Sequence, residues 1–135
     1  MTFRYMLDSN TIGNLVRNDA HAAKRIASVE MASLCISSIV EGEIHYGLAK
    51  RPEARRLALD IGEFLKRVET VTWDGRAARH YGELQARLEK RGHTLSPMDM
   101  LIAAHALSLS VTLVTCDKAF LSVAKLLVED WTKGS

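Results

Sequence analysis

Zinc chemistry has almost nothing to work with in this sequence. Only two of its 135 residues are cysteine, Cys35 and Cys116. No C-x-x-C pair, no Cys/His spacing and no H-E-x-x-H accompanies them. Each sits in an apolar stretch, where a free thiol acts as a small buried hydrophobe in a reducing compartment. Long apolar runs are missing too. The long uncharged stretch Met100 to Val114 is interrupted by His105, Ser108 and Ser110. Spanning a bilayer takes ~20 mostly apolar residues, so this stretch reads as a buried helix followed by a strand, with no membrane partner. The opening MTFRYMLDSN has no apolar core of a secretory signal, and a cytoplasmic location is expected. A strong charge of one sign is absent, the net being +2. With 47% hydrophobic residues, the balance excludes a disordered chain. Repeats, low-complexity segments and linkers are likewise lacking, so residues 1–135 are read as a single domain with a core of its own.

What is present is an alternation of short apolar strands and longer amphipathic helices. Strands are expected at Phe3–Leu7, Leu34–Ser37, Val68–Trp73, Val111–Thr115 and, last, near Leu126–Glu129. Helices are expected at Asn10–Arg17, His21–Met31, Ile39–Lys50, Glu53–Arg67, Asp74–Lys90, Pro97–Leu109 and, briefly, Lys118–Val123, with Gly92 as a C-terminal cap. Strands alternating with helices imply βαβ units, hence an α/β fold in three layers: a mainly parallel sheet covered by helices on both faces. Ligands in such sheets bind beyond the carboxyl ends of the strands, where strand order reverses.

The residues at those exits are acidic. Asp8 ends the first strand and Asp117 follows the fourth; Glu43 lies on the helix after the second strand, and Asp99 opens the helix before the fourth. Each aspartate alone has an ordinary reading as a helix cap or a dipole partner. All of them converging at one sheet edge is less easily explained by capping. On the second segment, Ser38 and Glu41 match the S-x-x-E capping box, which gives Glu41 a structural task and leaves Glu43 for the site. Four gathered carboxylates repel one another unless a cation offsets them. Oxygen donors suit Mg²⁺, with Mn²⁺ as the substitute, and sites of this kind act on phosphates. Metal-assisted phosphodiester hydrolysis is the expected chemistry. Removing the four acids from the net leaves +6 on the remaining chain. Arg51, Arg55, Arg56, Arg76, Arg79, Arg87, Lys90 and Arg91 read either as solvated helix faces or as a rim that draws in a polyanion. His45, His105, Trp73, Trp131, Met98 and Met100 read as packing or hydrogen-bonded residues.

Five segments in order, MLDSN, ISSIVEGEIHYG, LSPMDMLIAAHAL, LVTCDKAF and VEDW, resemble the PIN domain, specifically the VapC type of toxin ribonuclease, over essentially the whole chain. The resemblance implies a flavodoxin-like α/β/α sandwich and a Mg²⁺-dependent endoribonuclease. Asp8 and Asp99 would be its principal metal ligands, with Glu43 and Asp117 completing the catalytic pocket. Ser9 and Asn10 match the family's usual polar pair, and Thr115 the hydroxyl residue supporting the last acid; Cys116 departs from the usual asparagine. The resemblance further implies a homodimer, a VapB-type antitoxin partner, and structured RNA such as tRNA as substrate, nearest to members acting on initiator tRNA. Rival phosphate-handling classes lack their residues here. A haloacid-dehalogenase phosphatase needs an acid two residues after Asp8, where Asn10 stands, and a phospho-receiver domain needs an acidic pair. A flap nuclease needs added DNA-gripping elements. The remaining alternative is a PIN-fold binding module that reaches operator DNA through its antitoxin.

Overall fold

Five strands and six α-helices alternate along the chain in a computed structural model that describes residues 2–133. In order they are β1 (Tyr5–Leu7), α1 (Ser9–Val16), α2 (Ala20–Ala27), β2 (Leu34–Ser37), α3 (Ser38–Ala49), α4 (Arg55–Leu65), β3 (Glu69–Val71), α5 (Gly75–Lys90), α6 (Pro97–Leu109), β4 (Thr112–Val114) and β5 (Val128–Glu129). Short 3-10 turns cover Met31–Ser33 and Lys118–Ser122. All strands run parallel, in the spatial order β3-β2-β1-β4-β5.

That order fixes the layers. From β1 the chain steps outward through β2 to β3, then crosses back to lay β4 on the other side of β1. Parallel crossovers are right-handed, so reversing the direction of travel reverses the face on which the connecting helices lie. Helices α1 to α4 cover one face, where α1 touches α2, α3 and α4, and α5 and α6 pack together on the other. Covered on both sides, β1 and β2 are buried at every residue, which their unbroken apolar runs YML and LCIS foretell. The reversal point lies between β1 and β4.

Local chemistry sets most boundaries. Ser96 caps α6 by accepting the Asp99 N–H at 3.2 Å, with Pro97 in the first turn where its missing donor costs nothing. Gly92 ends α5 in a left-handed conformation (φ 66°); the His93 N–H returns to Leu88 O and the Gly92 N–H to Glu89 O. Three expectations need correction. Helix α3 is capped by Ser37, whose Oγ accepts the Ile39 N–H at 3.1 Å, so the Ser38/Glu41 capping box does not form. The extended backbone of Ser37 (ψ 145°) lets the last strand residue double as the cap, and Ser38 Oγ instead accepts the Trp73 N–H at 3.1 Å. Cys116 is exposed rather than buried, because it lies past the end of β4. Met98 and His45 stand out in solvent on the outer faces of α6 and α3, His45 within 3.9 Å of Glu41. Trp131, Met100 and His105 are buried as expected, and Trp73 donates its indole N–H to Leu101 O. Among the described residues, no helix is long and apolar enough to cross a membrane.

Candidate active site

The crevice at the β1/β4 reversal is lined by acid. Asp8, 5% exposed, follows β1 directly; its N–H bonds to Val114 O at 2.9 Å, which locks it beside the end of β4. Asp117 comes three residues after β4 on the exposed side of the same crevice. Asp99 enters from the first turn of α6 and Glu43 from the second turn of α3, both half-buried. The four are within electrostatic reach of one another: Asp8 with Asp99 and Asp117, Glu43 with Asp8 and Asp99, Asp99 with Asp117.

Capping and convergence turn out to be compatible. Asp8 Oδ1 accepts the Ser9 N–H at 2.9 Å at the start of α1, and Asp117 Oδ1 accepts the Ala119 N–H at 2.9 Å at the start of a 3-10 turn. Each leaves its second carboxylate oxygen for other work. Asp8 Oδ2 takes the Thr115 hydroxyl at 2.8 Å and Asn10 Nδ2 at 3.2 Å. Thr115 meets Asp8 and Asn10 across about a hundred residues of sequence, so no local pattern shows that these groups touch. A search for hydroxyls and amides within two residues of a strand-exit acid, on strands either side of the reversal, would have found both.

Burial is the chief influence on three of these acids and pushes their pKa above the ordinary carboxylate range. For Asp8 it outweighs the hydrogen bonds from Thr115 and Ser9, and repulsion from Asp99 and Asp117 adds to it. For Glu43, burial and then repulsion from Asp8 and Asp99 act against a stabilising Ser9 contact. For Asp99, burial comes first, partly offset by Ser96, with Asp117 repelling. The pocket therefore holds more negative charge than the protein alone comfortably carries.

Glu43 supplies the test of whether a cation belongs there. Its Oε1 is buried and has no hydrogen-bond partner, while its nearest charged neighbours are themselves carboxylates. A buried carboxylate oxygen without a donor is costly, and a cation is the partner such an oxygen accepts. Among the described residues no three His, Cys, Asp or Glu side chains close around one point to cage an ion alone. Mg²⁺ commonly keeps several waters and uses one or two carboxylates, so it needs no all-protein cage. The donor set fits a hard divalent ion.

The model of the PIN domain matches residues 5–126. The tRNA(fMet)-specific endonuclease VapC of Shigella flexneri is 31% identical over 96% of this chain and 98% of its own length. Ribonuclease VapC2 of Rickettsia felis is 34% identical over 96% of this chain and 98% of its own. Among solved structures, the crystal structure of DNA-bound VapBC from Salmonella typhimurium aligns with a TM-score of 0.88 at 32% identity, covering 96% of this chain and 99% of that one. With its parallel sheet, its acid-lined reversal crevice and near full-length likeness to these relatives, the chain belongs to the PIN-domain family, in its VapC branch.

Proposed function

We propose that the protein is a metal-dependent endoribonuclease toxin that cleaves structured RNA and is neutralised by a VapB-type antitoxin. The observation that carries the reading is the unpartnered Oε1 of Glu43 among three further carboxylates at the sheet's reversal point. Asp8 and Asp99 would hold Mg²⁺ or Mn²⁺, with Glu43 and Asp117 completing the pocket. A cation bound there would offset the negative charge of a phosphodiester and of its transition state. Glu43, with its raised pKa, is suited to take up a proton from the attacking water. Asp8, pinned through both oxygens, contributes fixed geometry instead. A tRNA is the substrate this reading favours, supported by the Shigella relative's name. Loops whose nucleotides are unstacked can reach a recessed acidic crevice more easily than a duplex can.

Antitoxin binding has support of its own. Between α1, α2 and α4 runs a groove lined by Leu15, Val16, Ile26, Val29, Met31 and Phe64, with Arg56, Asp60, Glu63 and Arg67 along one side. An amphipathic segment laid there would bury apolar area beside one charged margin. A homodimer and a cytoplasmic location belong to the same reading. The decisive experiment is digestion of total RNA and duplex DNA side by side with wild type and Asp8→Asn. Selective cuts in RNA loops by wild type alone support the proposal; equal cutting of duplex DNA, or activity surviving exhaustive chelation, refutes it.

A further inference from the structure

The carboxamide of Asn10 spans the gap between the two strand exits. Its Nδ2 donates to Asp8 Oδ2 at 3.2 Å and to Thr115 Oγ1 at 3.1 Å, and its Oδ1 accepts the Cys116 N–H at 3.1 Å. The Thr115 hydroxyl then has both lone pairs engaged, one by Asn10 and one by the Asp117 N–H at 3.0 Å. Its single proton is thereby directed to Asp8 Oδ2, at 2.8 Å. Cys116 and Asp117 lie on the loop leaving β4, and Asp8 leaves β1, so one side chain ties the two loops through both of its polar ends.

We propose that Asn10 is a positioning residue of the acidic pocket, fixing the Asp8 carboxylate and the Asp117-bearing loop at a set separation for a divalent cation. The inference rests on the acidic-pocket reading above. No other side chain of similar size does both tasks. Aspartate keeps the acceptor for the Cys116 N–H but turns two donated hydrogen bonds into a carboxylate facing Asp8. Alanine removes both ends. Outer groups that orient a ligand typically govern 10- to 100-fold of metal affinity or activity, and that is the size of effect expected.

The test uses the full chain with Mn²⁺ as the probe, followed by calorimetry, with melting temperature, amide exchange and RNA cleavage measured alongside. Asn10→Ala and Asn10→Asp should melt within about 5 °C of wild type yet bind Mn²⁺ roughly 10- to 100-fold more weakly. In cleavage, kcat should fall while KM holds, since substrate contacts are untouched. Thr115→Val should reproduce the loss and Thr115→Ser should rescue it. Asn10→Ala combined with Thr115→Val should cost no more Mn²⁺ affinity than the worse single change, because both break one chain of hydrogen bonds. Without metal, exchange of the Cys116 amide should quicken in Asn10→Ala and stay at the wild-type rate in Asn10→Asp. If Asn10→Ala does not fold, Asn10→Asp and Thr115→Val carry the same affinity readout. Wild-type Mn²⁺ affinity in the Asn10 variants, with affinity lost in Asp8→Asn, overturns the positioning role alone. Wild-type affinity in Asp8→Asn overturns the pocket reading and this inference with it.

Discussion

Two buried side-chain atoms among the described residues have no hydrogen-bond partner, Glu43 Oε1 and His105 Nε2, and their surroundings differ in kind. His105 is 1% exposed on α6, with Nδ1 2.8 Å from Ser37 Oγ. Ser37 Oγ also accepts the Ile39 N–H, so this one hydroxyl serves both the helix cap and the ring. Burial pushes His105 below the ordinary imidazole range, against a smaller pull from Asp74, and holds it neutral. Its orphan is a sealed ring nitrogen on a neutral side chain. The Glu43 orphan is an acceptor beside other anions at a crevice, and only a positive partner answers it. An unsatisfied atom points to function when its neighbours share its charge.

The largest expected effect separates the two sites outright. Asp8→Asn or Asp99→Asn should reduce RNA cleavage more than about 100-fold, since even outer-shell changes cost 10- to 100-fold. Near wild-type turnover in either variant would remove the acids from the mechanism. His105→Ala should leave Mn²⁺ affinity unchanged and cost roughly 2–4 kcal/mol of stability, as truncation of a buried side chain does. Urea denaturation and a Mn²⁺ titration of that variant suffice; a loss of metal binding at intact stability would join the two regions after all.

Metal comes next. An ion that binds only the folded state at 100 times its Kd adds about 2.7 kcal/mol. Wild type should therefore melt higher in Mg²⁺ and Asp8→Asn should not; equal gains in both would place the ion elsewhere.

The pH profiles should run in opposite directions. Carboxylates with raised folded pKa bind more protons in the native state, so their contribution is fully present below 3.8 for Asp8 and Asp99 and below 4.5 for Glu43. It is lost as pH rises through the folded values. Metal-free protein should gain stability when Asp8→Asn removes one of those charges. His105, with its pKa lowered from 6.5, contributes stability that is present above 6.5 and lost as pH falls. Denaturation from pH 4 to 8, with and without Asp8→Asn or His105→Ala, should show each slope vanish with its own substitution. Ser37→Ala should cost about 2–4 kcal/mol, since it removes a cap and leaves His105 Nδ1 without a partner; least of all, Glu41→Gln should stay within about 0.5 kcal/mol.

Helix α6 and strand β2 could be delimited from sequence because their signals are local: Ser96 and Pro97 open one, and a four-residue apolar run is the other. The strand β1 is shorter than Phe3–Leu7 suggests, although pairing frays outward, with the Arg4 N–H on Ser33 O and the Thr112 N–H on Arg4 O. Lys118–Val123 is a 3-10 turn over Lys118–Ser122 rather than an α-helix, too short to bear a second turn. The choice between Ser37 and Ser38 as cap was beyond the pattern, since both are serine and only the turn of the backbone out of β2 decides. Asp8, Asp99 and Asp117 could be nominated because each follows a strand or opens a helix; Glu43 is set apart from Glu41 in sequence by a capping box that does not form. Their coupling, and the Asn10–Thr115 bridge behind it, depends on which strands lie side by side, which periodicity does not encode.

The strand order also sets a timetable. Asp8 is made almost at once, but its neighbour across the crevice is β4, and β4 in turn is flanked by β5, through Leu113 N–H to Leu127 O and Thr115 N–H to Glu129 O. The β1–β2 pair closes between segments fewer than 35 residues apart, whereas Asp8 and Thr115 meet across 107. Joining ends so distant in sequence is also a slow step in folding. Until Thr115 and Asp117 join it, the Asp8 carboxylate lacks both the hydroxyl that fixes it and the acid that faces it.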